Sequence, residues 1–144
     1  MKKIILDTDI GSDVDDALCL GLALSDPSVE LVGITTVSGD TDCRARIARK
    51  LARLAGQSQV PVFAGEVDPV DDKKRFFWHG QEGDGILDAA DQDDLPKESG
   101  VDALARMIEM NPEAQVVAVG PLTNLARLIL EKPATAGRIA RYLV

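Results

Sequence analysis

Histidine, cysteine and aromatic residues are all scarce in this 144-residue chain, which has one His, two Cys and an aromatic content of 3%. A single imidazole argues against a histidine-built metal centre. Cys19 and Cys43 stand too far apart for a C-x-x-C pair and come without a second pair, so neither structural zinc nor a redox dithiol is indicated. Reduced thiols in a cytoplasm are the expectation. With so few rings, the core must be built from Ala, Leu, Ile and Val. Basic charge is also in short supply, 16 Lys and Arg against 24 Asp and Glu, for a formal net charge of -8. Nucleic acid and anionic membrane both demand a basic face, so neither is an expected partner, and a cation is the natural complement. Long apolar runs are missing too. Ile4-Ile5-Leu6, after Met1-Lys2-Lys3, is far too short for a signal-peptide core, and no stretch approaches a membrane span.

What is present is the composition of one globular domain, 45% hydrophobic and 28% charged. We read 1–144 as a single domain without internal repeats. Residues 3–6 predict a short buried strand, and Asp16 to Leu24 a helix with almost no polar face, hence one central in the molecule. Glu30 to Val37 and Val60 to Ala64 predict two more strands. Between them, Thr41 to Ala55 has apolar residues at helical spacing and a stop at Gly56; its opposite face, Arg46, Arg49, Lys50 and Arg53, predicts a solvated basic stripe. Periodicity is lost from 66 to 98, a length that in a compact domain marks a functional or disordered loop. Ser99 with Asp102 predicts a capping box opening a helix that stops at Asn111-Pro112. Gln115 to Val119 predicts a further strand, and Gly120-Pro121 a turn into a helix from Leu122 to about Leu130, with the proline in its first turn. Strands alternating with helices predict an α/β, Rossmann-like fold with a mostly parallel sheet flanked by helices. Ligands of such sheets bind outside the carboxyl ends of the strands.

One such end carries the most unusual stretch of the chain. DTDIGSDVDDAL, residues 7–18, places five carboxylates, those of Asp7, Asp9, Asp13, Asp15 and Asp16, between two apolar segments. Two unit charges about 5 Å apart repel by roughly 3 kcal/mol at an effective dielectric near 20. A helix N-terminus returns only about 0.3 to 1 kcal/mol per acid, which leaves protonation of some members or a bound cation to supply the rest. Oxygen ligands alone select a hard cation, Ca²⁺ or Mg²⁺, with Ca²⁺ the more tolerant of irregular geometry. Gly11, Asp13 and Leu18 stand at the wrong offsets for an EF-hand loop. An apolar strand and then D-x-D also resembles the start of haloacid-dehalogenase-type phosphatases, but Ile10-Gly11-Ser12-Asp13 replaces the threonine or valine and apolar residues that come next in those enzymes. A capped helix decorated with surface acids is the remaining alternative, though such acids seldom separate two fully apolar segments.

DTDIGSDVDDAL resembles the N-terminal signature of the inosine-uridine-preferring nucleoside hydrolases, enzymes that cut the N-glycosidic bond of ribonucleosides. LVGITTVSGD, WHGQEGDG and VVAVGPLTNLA resemble that family's second strand and polar corner, its His-Gly loop, and its strand, glycine turn and helix, in the same order. The resemblance implies a calcium ion held by Asp9, Asp16 and the backbone carbonyl of Val119. It further implies Asp9 as general base toward water, Asp15 on the ribose hydroxyls, Asp40 at a corner where many members carry a ribose-binding asparagine, and His79 near the substrate mouth. Phe76, Phe77 and Trp78 either cover a nucleobase or pin their loop to the core. Asp40 has capping of the helix at Thr41 as its other reading. Asp7 is expected to hydrogen-bond behind the ligands, and Thr123 and Asn124 to stabilise the turn and helix start. The spacer from Ile10 to Val14 is longer than the family's shortest form, which leaves Asp13 between a surface role and direct contact with metal or sugar. The resemblance covers the N-terminal half of the family's length, with RIARYLV reading as the start of another strand. We therefore expect impaired hydrolysis by the 144 residues alone, self-association through uncovered apolar surface, and, as the alternative function, a non-catalytic Ca²⁺- or ribose-binding module.

Overall fold

The computed structural model describes residues 1–71, 73, 81–92 and 94–144. The elements run β1 (Lys2–Thr8), α1 (Val14–Ser25), β2 (Val29–Thr36), α2 (Thr41–Leu54), β3 (Val62–Ala64), a short 3-10 turn (Ala89–Asp91), α3 (Gly100–Met110), β4 (Gln115–Ala118), α4 (Thr123–Glu131), α5 (Pro133–Ala136) and β5 (Tyr142–Leu143). The strands form one sheet in the order β3-β2-β1-β4-β5, and every pairing is parallel. This is the Rossmann-like architecture read from the alternation of elements.

Strand periodicity explains how two cores grow from one sheet. Adjacent side chains of β1 point to opposite faces, so Ile5 joins Val116, Leu104, Ile108, Leu125 and Leu128 under α3 and α4, while Leu6 joins Ile34, Leu20, Leu24, Ile47 and Ala48 under α1 and α2. With both faces covered, the central strands can be apolar throughout. β1 lies between β2 and β4, with α1 and α2 on one face and α3 and α4 on the other. The strand order therefore reverses beside β1, and the crevice outside its carboxyl end is the natural ligand position.

Several boundaries differ from expectation. β1 runs on through Asp7 and Thr8, because their backbones stay in the ladder opposite Thr35 and Thr36. α1 starts at Val14, and it is not central. It buries Leu20, Ala23 and Leu24 but leaves Val14, Leu18 and Leu22 70%, 67% and 68% exposed. Their spacing puts these three on one stripe, so the helix is apolar on two faces of which the sheet covers one. Pro121 precedes the N-cap, Leu122, and thus stands outside α4. At α3 the Ser99 Oγ accepts from the Asp102 N–H at 3.1 Å and donates to Asp102 Oδ2 at 2.9 Å, closing the turn side chain to side chain. Among the described residues no helix is long and apolar enough to cross a membrane.

Candidate active site

The carboxyl ends of β1, β2 and β4 meet at the acidic stretch. Thr8 shapes the exit from β1: its Oγ1 accepts from the Ile10 N–H at 3.1 Å and donates to Asp16 Oδ1 at 2.7 Å, folding the first turn of α1 back over the strand. Gly11 comes next with φ +112°, a conformation that L side chains rarely adopt. Asp13 is the exposed N-cap of α1 and makes no side-chain capping bond, while Asp15 and Asp16 occupy the first turn, where the helix dipole favours acids.

Asp7 is fully buried behind this turn. Its Oδ1 accepts from Thr35 Oγ1 at 2.5 Å and from Asn124 Nδ2 at 2.6 Å, whereas Oδ2 has no hydrogen-bond partner among the described residues. Burial pushes its carboxyl up to about 6, against the opposing hydrogen bonds from Thr35 and Asn124. Asn124 is itself fully buried and reaches well beyond its own turn: Nδ2 also donates to the Thr36 carbonyl at 2.9 Å, and Oδ1 accepts from the Glu66 N–H at 2.9 Å. It ties together the ends of β1, β2 and β3, where a local role at the helix start was expected.

Asp9 and Asp16 stand near enough for each carboxyl to act on the other. Burial pushes Asp16 up to about 6, with the charges of Asp9 and Asp15 adding to it and the Thr8 hydroxyl opposing it. Burial raises Asp9 as well, opposed by the nearby Arg44 guanidinium. The β4 corner closes on the pair from the other side. The Val119 N–H donates to the Asp7 carbonyl at 2.9 Å, and a Cβ added at Gly120 would lie 2.7 Å from Asp9 Oδ1. Only glycine lets this backbone approach so closely.

This donor set fits a hard divalent cation. It consists of oxygens only, partly desolvated, mutually repelling, and backed by the unpartnered Asp7 Oδ2. Among the described residues no three His, Cys, Asp or Glu side chains form a ready cage. Asp40 sits at the β2 corner, exposed, and its Oδ1 caps α2 by accepting from the Cys43 N–H at 2.9 Å. His79, with Phe76, Phe77 and Trp78, lies outside the described residues. A cleft of about 580 Å³ opens at the opposite, amino-terminal end of the strands, where Met1, Asp26, Glu30 and Pro61 line it, away from the acidic group.

Two features escaped the sequence reading. Arg44 is almost completely buried and forms an ion pair with the equally buried Glu82 at 2.9 Å. The basic stripe of α2, in turn, grips the acidic loop that comes after β3. Lys50 Nζ bonds the Ile86 carbonyl, Asp88 and Asp91 at 2.6, 3.0 and 2.7 Å, Arg53 bonds Asp91, and Arg49 bonds the Asp94 carbonyl at 3.0 Å. The expectation of a solvated face is thereby corrected. The available signal was the complementary acidity of the aperiodic segment.

The description "inosine-uridine preferring nucleoside hydrolase" belongs to the family profile that matches residues 4–144. A probable uridine nucleosidase 2 from Arabidopsis thaliana is 36% identical over 99% of this chain and 46% of its own length. The non-specific ribonucleoside hydrolase RihC of Salmonella newport is 34% identical over 98% of this chain and 47% of its own. Among solved structures, the plant nucleoside hydrolase PpNRh1 superimposes with a TM-score of 0.81 at 30% identity, over 98% of this chain and 46% of that one. A purine-preferring ribonucleoside hydrolase from Gardnerella vaginalis gives 0.82 at 29%, over 98% and 47%. The chain thus spans about half the length of the curated relatives it matches.

Proposed function

Since this chain belongs to the inosine-uridine preferring nucleoside hydrolase family, we propose that its acidic strand-end group serves calcium-dependent hydrolysis of the N-glycosidic bond of ribonucleosides, giving ribose and free base. The observation that supports this most is the meeting of Asp9 and Asp16 at the end of β1, against the Gly120 corner of β4. Asp9, Asp16 and the Val119 carbonyl would hold the ion. When bound, a hard cation relieves the repulsion within the group and makes water more acidic. Asp9, half-buried and raised in basicity, is placed to take a proton from the attacking water. Cleavage of a nucleoside builds positive charge on the sugar ring, which the surrounding carboxylates stabilise. Asp15 and Asp40, both exposed, would contact the ribose, and His79 would serve near the substrate.

Substrate and activity here are those of the relatives' full-length architecture, so the 144-residue chain alone is expected to turn over poorly and to associate with itself through its uncovered apolar stripe. Both cysteines are free, in keeping with a reduced, cytoplasmic setting. The lack of a third side-chain ligand among the described residues favours a second reading, a Ca²⁺- or ribose-binding module without catalysis. Calorimetry with Ca²⁺ and ribose, beside an inosine and uridine hydrolysis assay, separates the two. Ca²⁺-dependent release of base supports the hydrolase, ribose and Ca²⁺ binding without release supports the module, and no Ca²⁺ binding at all overturns both.

A further inference from the structure

We propose that Arg44 is a positioning residue of the acidic site, which, paired with Glu82, locks the loop after β1 to the corner after β2 and so sets where the Asp9 carboxylate stands. Arg44 projects from the first turn of α2, yet its bonds go to the two loops that frame the site. Nε donates to the Ser38 carbonyl at 2.7 Å, Nη1 donates to the carbonyls of Asp9 and, at 2.9 Å, Ile10, and Nη2 pairs with Glu82 Oε1 at 2.9 Å. Both partners of the ion pair are buried, with side chains 2% and 5% exposed. A buried guanidinium is retained only where its hydrogen bonds are met and its charge is paired, and here the acceptors are backbone atoms of the site itself.

Each loop that Arg44 holds carries an unusual backbone. Gly11, directly after Ile10, has φ +112°, and Ser38, not a glycine, has φ +70°. Such conformations persist only where the surroundings over-determine them. Glu82 N-terminal to Gly83 brings in the third segment: its carbonyl accepts from Cys43 Sγ at 3.1 Å, so the acidic loop is fastened at the same point. The guanidinium fork meets carbonyls and a carboxylate in several directions at once, which a lysine ammonium on a flexible stem does not reproduce. With Asp9 fixed by its own carbonyl on one side and confined by Gly120 on the other, its carboxylate has little freedom.

The proposal deepens the calcium reading of the site and rests on it for one arm of its test. Arg44→Lys and Glu82→Gln are made in the 144-residue chain and studied by peptide-level hydrogen–deuterium exchange and by Ca²⁺ calorimetry. Arg44→Lys is expected to speed amide exchange at least about tenfold in peptides covering 9–13 and 38–40, with β1, β2 and α3 unchanged, and to weaken Ca²⁺ binding about 10- to 100-fold, the usual size of a lost outer partner. Glu82→Gln, which keeps an acceptor for Nη2, should show the same pattern at smaller amplitude. Unchanged exchange at 9–13 in both variants would overturn the proposal, as would faster exchange with unaltered Ca²⁺ affinity. If the unaltered chain binds no Ca²⁺, the metal reading falls and the exchange pattern alone decides the clamp. Should Arg44→Lys fail to fold, Glu82→Gln carries both measurements.

Discussion

Asp7 is a carboxyl placed where its charge is poorly solvated, and this has a definite pH signature. Its ordinary value of 3.8 rises to about 6 in the folded chain, and Asp16 takes the same course. The folded state therefore prefers both groups protonated. Their contribution to stability is complete below pH about 4 and is lost as pH rises through about 6. For Asp7 the loss is on the order of 3 kcal/mol. Acids held below the usual range, such as Asp91 and Glu98 with their cationic partners, have finished titrating by then and do not oppose the trend. The melting temperature of the cation-free chain should thus fall between pH about 4.5 and 7. Asp7→Asn, which preserves an acceptor for Thr35 and Asn124, should flatten that decline and melt higher than the parent at pH 7 but not at pH 4.5. Added Ca²⁺ should restore the parent at neutral pH if it binds there. That acids cluster here was legible in the sequence. The role of Asn124 was not, because its partners Asp7 and Thr36 lie 117 and 88 positions away and no local pattern encodes such a bond.

At the level of elements, periodicity located β1 to β4 and α1 to α4 to within a few residues, since each buries an apolar face against the sheet, while the short α5 and the 3-10 turn, with too few residues to show a period, were not foreseen. It misjudged what surrounds them. The basic side of α2 has the spacing of a solvated face, and only the acids of a segment without periodicity convert it into a docking rail. Asp91 shows the strength of that rail. It is buried, it completes a capping box with Asp88, and Lys50 holds its carboxyl well below the usual range. Asp91→Asn should lower the melting temperature by several degrees and open residues 81–98 to limited proteolysis while leaving the sheet intact. Lys50→Met should act in the same direction. Cleavage confined to other loops, or no change in cleavage, would show that the ion pairs do not hold the segment down.

At the scale of the molecule, the apolar stripe of α1 is a run of exposed apolar side chains on one helix face. Val14, Leu18 and Leu22 are each more than two-thirds exposed, and the edge strand β5 adds Tyr142 and Leu143, 40% and 45% exposed. Replacing Leu18 and Leu22 by Glu and Lys should leave the melting temperature nearly unchanged, because little packing is lost, and should shift the sedimentation profile toward monomer. A monomeric parent would remove the self-association proposal. The sheet order carries a consequence for biosynthesis. β1 is made before β4, its sheet neighbour, by about a hundred residues, and Asn124 arrives later still. The nascent chain therefore holds its acidic stretch as an unfinished half-site until the β4 corner and Asn124 have both been made.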